Sequence, residues 1–533
     1  MKNHFIKGDI LVSVLIFAAI AVTVVSGLVN WGAALLVGIR TTAAKEQAFQ
    51  IAEAGIDYYR WHLAQYPTDY QDGTAASGPY NHSFYDKNNN LIGGYSLSIT
   101  PPPLGSTKVV ITSSGTTTAN KNVKRVVQAI LAEPSLAQYA VVANDYLRFG
   151  VGTVVNGPIT SNKGIHFDGI ANNVISSAVA TYTDPDWDGN ANDNNSGGSC
   201  TNLSYGVHTC VSPADLTPPS TAANNTTVFA AGRQYPVPAI DFVGLQVNLQ
   251  TLYNSTLTSG VCSNTSTASC WLSSGSQGYH IVFLVNNGST TYDMYKVTSQ
   301  QSTPNSCGPD QYNNPTAYSE MNSGGTQNAG TNWGTWSING LTGSSNPSSG
   351  ETQVNGPNAD HSWPIPPNGI IFVADNLWVD GTIDNARMTV ASANIGTSNP
   401  NSFTNITVNT NLKYTNLNGN DVLGLIAQGN VNVGMVSDNS FEIDGALMAE
   451  NGRVGRFYYD GSCSVSSTNY SSRSSLTLLG MIATAIRYGF AYTDGTGYTN
   501  RNITYDANLL YSPPPSFPLA STQYQMASWK QLQ

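Results

Sequence analysis

Lys7-Gly8-Asp9-Ile10-Leu11-Val12-Ser13 opens the stretch that decides this fold, and Ala48-Phe49-Gln50-Ile51-Ala52-Glu53-Ala54-Gly55-Ile56 closes it. From Ile10 to Ile39 there is no charged residue, and the apolar run passes without a break into a polar helical pattern. As a helix rising about 1.5 Å per residue, that run reaches ~45 Å, more than the roughly 30 Å hydrocarbon layer of a bilayer. A secretory signal has a shorter apolar core, about 7–15 residues, followed by small residues at a cleavage site. The plausible cut here lies before the apolar run, after Gly8. The other reading is a single signal anchor continuing into a coiled stalk.

Beyond the apolar run, Phe49, Ala52, Ile56, Tyr59 and Leu63 recur at steps of three and four, which predicts a helix with one apolar stripe. Glu46, Gln50, Asp57 and Arg60 fall largely off that stripe, and Pro67 in Tyr66-Pro67-Thr68-Asp69 is the expected stop.

Together these features resemble the type IV prepilins. The leader with Lys2 and Lys7 ends at Gly8, and Ala48 to Ile56 is similar to the AF-x-x-AEAG stretch of PilX-like minor pilins. The resemblance implies cleavage after Gly8 by a prepilin peptidase, leaving the hydrophobic helix on the mature chain. Major pilins begin with Phe and carry Glu at the fifth mature position; Asp9 and Ser13 stand there here, as in minor pilins and pseudopilins lacking that glutamate.

At 533 residues the chain predicts several domains. Charged residues make up only 10%, but 40% are hydrophobic, with 28 Tyr and 9 Trp, so a folded, turn-rich β protein is expected rather than disorder. The net charge of −10, with a basic leader, places the N-terminus in the cytoplasm and the bulk outside by the positive-inside rule. The brief Lys121-Asn122-Val123-Lys124-Arg125 cluster reads as an exposed strand face, so no nucleic-acid partner is expected. All 6 cysteines follow the helix, which suits an oxidising compartment. Cys200 with Cys210 and Cys262 with Cys270 can close short loops, leaving Cys307 with Cys463; this is one of several connectivities that six cysteines allow.

The expected fold class is α+β. It has a leader at 1–8, a transmembrane helix at 9–66 and a small antiparallel sheet at 67–134, built from runs such as Tyr95–Ile99, Lys108–Thr112 and Val123–Leu131. A mainly-β region follows. Leu147-Arg148-Phe149, Ile165-His166-Phe167 and Ile370-Ile371-Phe372-Val373 echo one another, with later runs at Met388–Ala391, Ile406–Val408, Val422–Ala427, Phe441–Leu447 and Leu476–Ile482. Their spacing suggests a parallel β-solenoid, in parts at 135–244 and 366–533, with a β-sandwich as the alternative. Between them, 245–365 reads as an insertion containing a hairpin at Ile281–Val297 and a Ser/Gly/Asn-rich stretch. Pro513-Pro514-Pro515 reads as a strap across the last rung.

Asp184-Pro185-Asp186-Trp187-Asp188-Gly189-Asn190, with Asp193, has alternating carboxylates before a glycine, which points to a calcium loop as the one cofactor expectation; a plain acidic turn is the alternative. A polysaccharide-active enzyme on a β-helix would need converging carboxylates, for which Asp375, Asp380, Asp384, Arg387, Asp444 and Glu450 are the candidates. Asp-Gly and Asp-Asn pairs are also what turns require. There is no HExxH, GxSxG or Walker-type loop, and no catalysis is expected.

The prepilin resemblance implies a non-enzymatic minor pilin-like subunit of a type IV pilus or pseudopilus, at the tip because its head is bulky. Leu11, Val14, Leu15, Phe17 and Ala18 would pack against the cytoplasmic membrane and then against other pilin subunits, with Phe49, Ala52, Glu53 and Ile56 continuing the helix. An anchored surface adhesin that grips a glycan or a surface is the second reading.

Overall fold

The computed structural model describes residues 7–187, 201–242, 249–257, 269–302, 335–341, 347–459, 461, 463–492 and 494–532. The chain divides into two compact units, one of residues 1–102, 108–132 and 523–533, the other of 103–107 and 133–522.

The first unit is a long helix against an antiparallel sheet. Helix α1 (Lys7–Gln65) ends two residues before Pro67, as the missing N–H of proline requires. At its C-terminal end His62 Nε2 lies 2.9 Å from Asp69 Oδ2, and Tyr59 donates its hydroxyl hydrogen to the Asp69 carbonyl. Four strands follow in meander order: β1 (Tyr80–Tyr85), β2 (Leu91–Thr100), β3 (Val109–Thr117) and β4 (Lys124–Ala132). A fifth, β5 (Gln525–Leu532), completes the order β1-β2-β3-β4-β5.

Strand β3 alternates buried and half-buried residues along its whole length. Its inward series runs Val109, Ile111, Ser113, Gly115 and Thr117, the larger apolar residues first and the smaller ones after. Ala52, Ile56, Tyr59 and Leu63 of α1 pack into one cluster with Leu97, Val109, Ile111, Val127 and Leu131, so the predicted stripe is the face that meets the sheet. Phe49 is only half-buried and makes an edge contact with Trp529, their ring centroids 6.1 Å apart. At the small end of β3 the two backbones come into near contact. A Cβ on Gly115 would lie 2.1 Å from the Ala48 carbonyl oxygen and 2.5 Å from the Ala52 nitrogen, and one on Gly55 would lie 2.3 Å from Ser113 Oγ. The Ala48, Ala52, Gly55 series is thus the seat of the helix on the sheet.

Strand β5 corrects the expectation that everything after 366 belongs to the distal region. Its residues pair antiparallel with β4, Gln525 opposite Ala132 and Leu532 opposite Val126. Tyr524 donates its hydroxyl hydrogen to the Pro67 carbonyl, and Trp529 reaches Phe49. The large unit is therefore inserted, in sequence, between two neighbouring strands of one sheet.

The second unit is built on long parallel ladders. One runs through Cys270–Trp271, Ile370–Val373, Arg387–Ser392, Val422–Ala427, Ser440–Ala449, Ser472–Thr484, Val141–Ala143, Ile159–Ser161, Ile175–Ser177 and Arg233–Gln234, every neighbouring pair parallel. A second joins Gly278–Asn286, Leu377–Ile383, Ile406–Val408, Val431–Val433 and Val454–Arg456. A third passes from Ser472–Thr484 through Gly497–Tyr505 and Thr153–Asn156 to Ile170–Ala171. Spatial order is not chain order: the strand ending at Thr484 stacks on the one beginning at Val141.

Alternate residues of the first ladder enter different clusters. Ile371, Val373, Val390, Leu425, Leu447 and Ile482 face one cluster; Ile370, Phe372, Ala391, Ile426, Met448 and Ala483 face the other. Burial on both faces is why these strands read as continuous apolar runs. Leu252 of the short helix α2 (Leu249–Ser255), Leu509 and Phe517 cover the second face.

Two further expectations change. The Ile281–Val297 hairpin exists as Gly278–Asn286 with Ser289–Val297, turning at Asn287 and Gly288, both at positive φ. Its first strand also continues the second ladder beside Leu377–Ile383, so it is part of the stack and not a decoration on it. The proline strap crosses middle strands instead of the last one. Pro514 lies against Gly424, Pro515 against Gly369, and Arg387 donates to the Ser512 and Pro513 carbonyls at 2.7 and 2.9 Å. Small residues at Gly369 and Gly424 leave the strap room there.

Candidate functional site

The first half of α1 has no cover. Its large apolar side chains are exposed, Leu11 at 68%, Phe17 at 72% and Val29 at 65%. Val14, Leu15 and Ala18 lie on the same uncovered length, and Gly8 and Asp9 in the first turns of the helix. The most apolar stretch has a mean hydropathy of 2.6, and by length and composition the helix can cross a membrane. Two of its hydroxyls bond back into the helix: Thr23 and Thr41 donate to the Ile20 and Val37 carbonyls, each at 2.8 Å. Folded monomers rarely expose contiguous apolar patches above a few hundred Å². Lipid or a second apolar surface is what such a rod fits. Glu53 and Ile56 lie past the uncovered length, where with Asp57, Met526 and Trp529 they line a groove between α1 and β5.

Two buried charge clusters lie in the second unit; sequence reading marked Asp184, Asp186 and Asp380 but none of the histidines that join them. In the first, His166 Nδ1 is 2.9 Å from Asp184 Oδ2, and its Nε2 is 2.9 Å from Asp168 Oδ2. His208 Nε2 is 3.2 Å from the same Asp184 oxygen, and its Nδ1 is 3.1 Å from the Tyr182 hydroxyl. Asp186 pairs with Arg148 and Arg487. Burial disfavours every charge here, yet Asp168 and Asp184 raise His166 to about 9, and the two imidazoles hold Asp184 far below the usual carboxylate range. His208 is pushed down by burial and by the neighbouring His166 charge.

Two of the expected calcium ligands, Asp184 and Asp186, are thus already matched by histidine and arginine; Asp188, Asn190 and Asp193 lie outside the described residues.

In the second cluster, His280 lies between two carboxylates. Its Nδ1 bonds Glu351 Oε1 and its Nε2 is 3.1 Å from Asp380 Oδ2. Glu351 also accepts from the Ser348 backbone N–H and hydroxyl at 3.0 and 2.8 Å, and Asp380 from the Thr410 hydroxyl at 2.7 Å. Burial opposes the imidazolium, but Asp380 and Glu351 together raise it to about 10. An unfolded histidine titrates near 6.5. The cluster therefore contributes its full stability below about pH 6.5, and the contribution falls away as pH rises through about 10. Urea midpoints should drop from pH 7 to 10, and the His280→Asn variant should lose part of that slope, His166 supplying another part; an unchanged slope would remove the cluster as a source.

The carboxylates considered for catalysis have structural partners. Asp375 accepts from the Ser274 N–H and hydroxyl, Asp384 from the Asn416 amide, and Asp444 from the Tyr414 N–H. Burial raises Asp444 to about 6. Glu450 is buried, and Arg387 is occupied by backbone carbonyls of the strap. The described cysteines Cys210, Cys270 and Cys463 are buried and none is free; Cys200, Cys262 and Cys307 lie outside the described residues.

No protein-family model matches the chain, and no curated protein matches it. Among solved structures it is similar to the competence-associated pilin ComZ from Thermus thermophilus, at 13% identity and a TM-score of 0.30, over 92% of this chain and 98% of that one. At that score the likeness carries no argument.

Proposed function

We propose that the chain is a minor pilin-like structural subunit of a type IV pilus or related pseudopilus, located at the tip and displaying the large β unit outside the cell. The observation that carries this reading is the helix itself. One continuous α1 is uncovered and apolar in its first half and seated on its own antiparallel sheet in its second. A rod of that kind can rest in lipid and then exchange lipid for the helices of other subunits without refolding its head. The basic leader orients it with the N-terminus in the cytoplasm and the bulk outside. Its partners on this reading are the prepilin peptidase, the cytoplasmic membrane and other pilin subunits.

The stacked parallel ladders support a β-solenoid for the distal unit. The internal partners of the candidate carboxylates support a non-enzymatic role. None of the described cysteines is free; the set Cys200–Cys210, Cys262–Cys270 and Cys307–Cys463 is one of the connectivities open to the six.

Mass spectrometry of the cell-derived protein should show Asp9 as the first residue, and the protein should be recovered in sheared surface filaments. An intact Met1 on protein found only in washed membranes would overturn the reading in favour of a static anchor.

A further inference from the structure

Along one flank of the first unit, α1 and β5 enclose a groove of about 370 Å³ lined by Glu53, Ile56, Asp57, Met526 and Trp529. Ile56 is buried, but Met526 and Trp529 are 43% and 42% exposed, large apolar side chains that the unit's own core leaves uncovered. Glu53 is half-buried and Asp57 exposed, one turn apart on the helix. Among the described residues neither carboxylate has a side-chain partner, and Arg60 and Lys530, the cations nearest in sequence, form no ion pair with them. A carboxylate drawn partly out of water loses hydration that a matching cation offsets. A complementary surface exists on the same helix, further towards its N-terminus. Ala33, Leu36, Val37 and Arg40 follow at steps of three and four, so they share one face, on which an apolar stripe ends in a cation. Leu36, Val37 and Arg40 are all exposed, and Arg40 has no side-chain partner among the described residues.

We propose that the groove receives the Arg40 end of that stripe from α1 of a second copy, the two helices lying parallel and staggered. The inference rests on the filament-subunit reading and names the contact that two copies side by side would use. Arg40 precedes Glu53 by 13 positions and Asp57 by 17, so a stagger of roughly 20–25 Å, at about 1.5 Å per residue, sets the guanidinium between both acids. The same shift brings Leu36 and Val37 to the level of Phe49, which touches Trp529 at the end of the groove. Without a stagger Arg40 would meet Arg40 and Glu53 would meet Glu53, and like charges set together repel. An antiparallel pair is excluded because the basic leader holds both N-termini on the cytoplasmic side. Arginine suits the place: its planar fork can span two carboxylates, and its face stacks on a ring such as Trp529. Packed helices lie about 8–10 Å apart, within reach of so long a side chain.

In sheared surface filaments containing the Arg40→Lys chain, a carbodiimide should join the introduced amine to Glu53 or Asp57 of another copy as an amide, with loss of water. Mass spectrometry of the digest should find the two peptides linked. One continuous helix holds these positions ~20 Å or more apart within a chain, so the link cannot form inside one copy. Charge reversal supplies a second readout, the co-recovery of tagged and untagged copies from filaments dissociated in mild detergent. Arg40→Glu and Glu53→Arg should each cut it about tenfold, and the two together should restore most of it. Lys45→Glu, on another face of α1, should leave it unchanged. Filaments that contain the protein but yield no such link, or a link only to a different protein, overturn this inference and leave the subunit reading standing. A double reversal that restores nothing overturns it in the same way, and protein absent from filaments overturns both. If a reversal variant fails to accumulate, the Arg40→Lys link decides alone.

Discussion

Replacing Gly115 with valine should unseat the helix from its sheet and lower the stability of the first unit by about 3 kcal/mol or more. Overpacking of a core is often absorbed by a shift of side chains, but the neighbours here are main-chain atoms: the Ala48 carbonyl oxygen at 2.1 Å and the Ala52 nitrogen at 2.5 Å from the added Cβ. The helix itself has to move away, which opens the packing of Ala52, Ile56 and Tyr59 against Val109, Ile111 and Val127. Gly55→Ala meets a side chain first, Ser113 Oγ at 2.3 Å. That clash should be partly relieved by adding Ser113→Gly, whereas no single side-chain truncation should rescue Gly115→Val. Denaturant dependence of hydrogen–deuterium exchange in α1 and β3 of the full chain in detergent would measure both. A Gly115→Val chain with an unchanged midpoint would mean that the helix does not lie on β3 as described.

Replacing His280 with leucine should destabilise the second unit by about 3–5 kcal/mol at neutral pH, because it strands two buried acids. Glu351 and Asp380 both face the imidazole, and all three residues are under 10% exposed. Without the cation the two acids must repel each other or take up a proton. The loss should therefore shrink on acidification, unlike a packing defect, which is insensitive to pH. Adding Glu351→Leu to His280→Leu should recover part of the loss, since one buried charge fewer remains unmatched. Urea midpoints of the single and double variants at pH 7 and pH 5 test this; equal losses at both pH values would count against the charge argument.

Local periodicity was readable, and distance along the chain limited everything else. The stripe from Phe49 to Leu63 showed the buried face of α1 because each helical turn repeats the pattern, and Pro67 marked its end. The apolar runs at Ile370–Val373 and Val422–Ala427 announced strands because both of their faces are buried. The Asn286-Asn287-Gly288 turn identified its hairpin because positive φ favours those residue types. Strand β5 was hidden: Gln525 to Leu532 carries little apolar alternation, since its faces are mostly exposed, and its partner β4 lies far upstream. The seat of α1 was half visible, as Gly55 stands in a recognisable stretch, but Gly115 acquires meaning only once β3 is placed in register. The histidine clusters were invisible for the same reason. His280 and Glu351 are 71 positions apart, and they read as unrelated until two antiparallel pairings bring Glu351, and a parallel one Asp380, to the histidine.

Strand β5 also sets a sequence of events during biosynthesis. The sheet under α1 has four of its strands within the first 132 residues, but its fifth begins at residue 525, so the edge of β4 stays open until nearly the whole intervening polypeptide has been made. Closing so wide a loop is slow compared with forming the neighbouring meander. A chain cut short anywhere in the β-rich stretch would leave β4 as a bare edge, ready to pair with other chains. Closure by β5 thus requires that translation has run through the large unit, so the finished sheet exists only in a chain made nearly to its end.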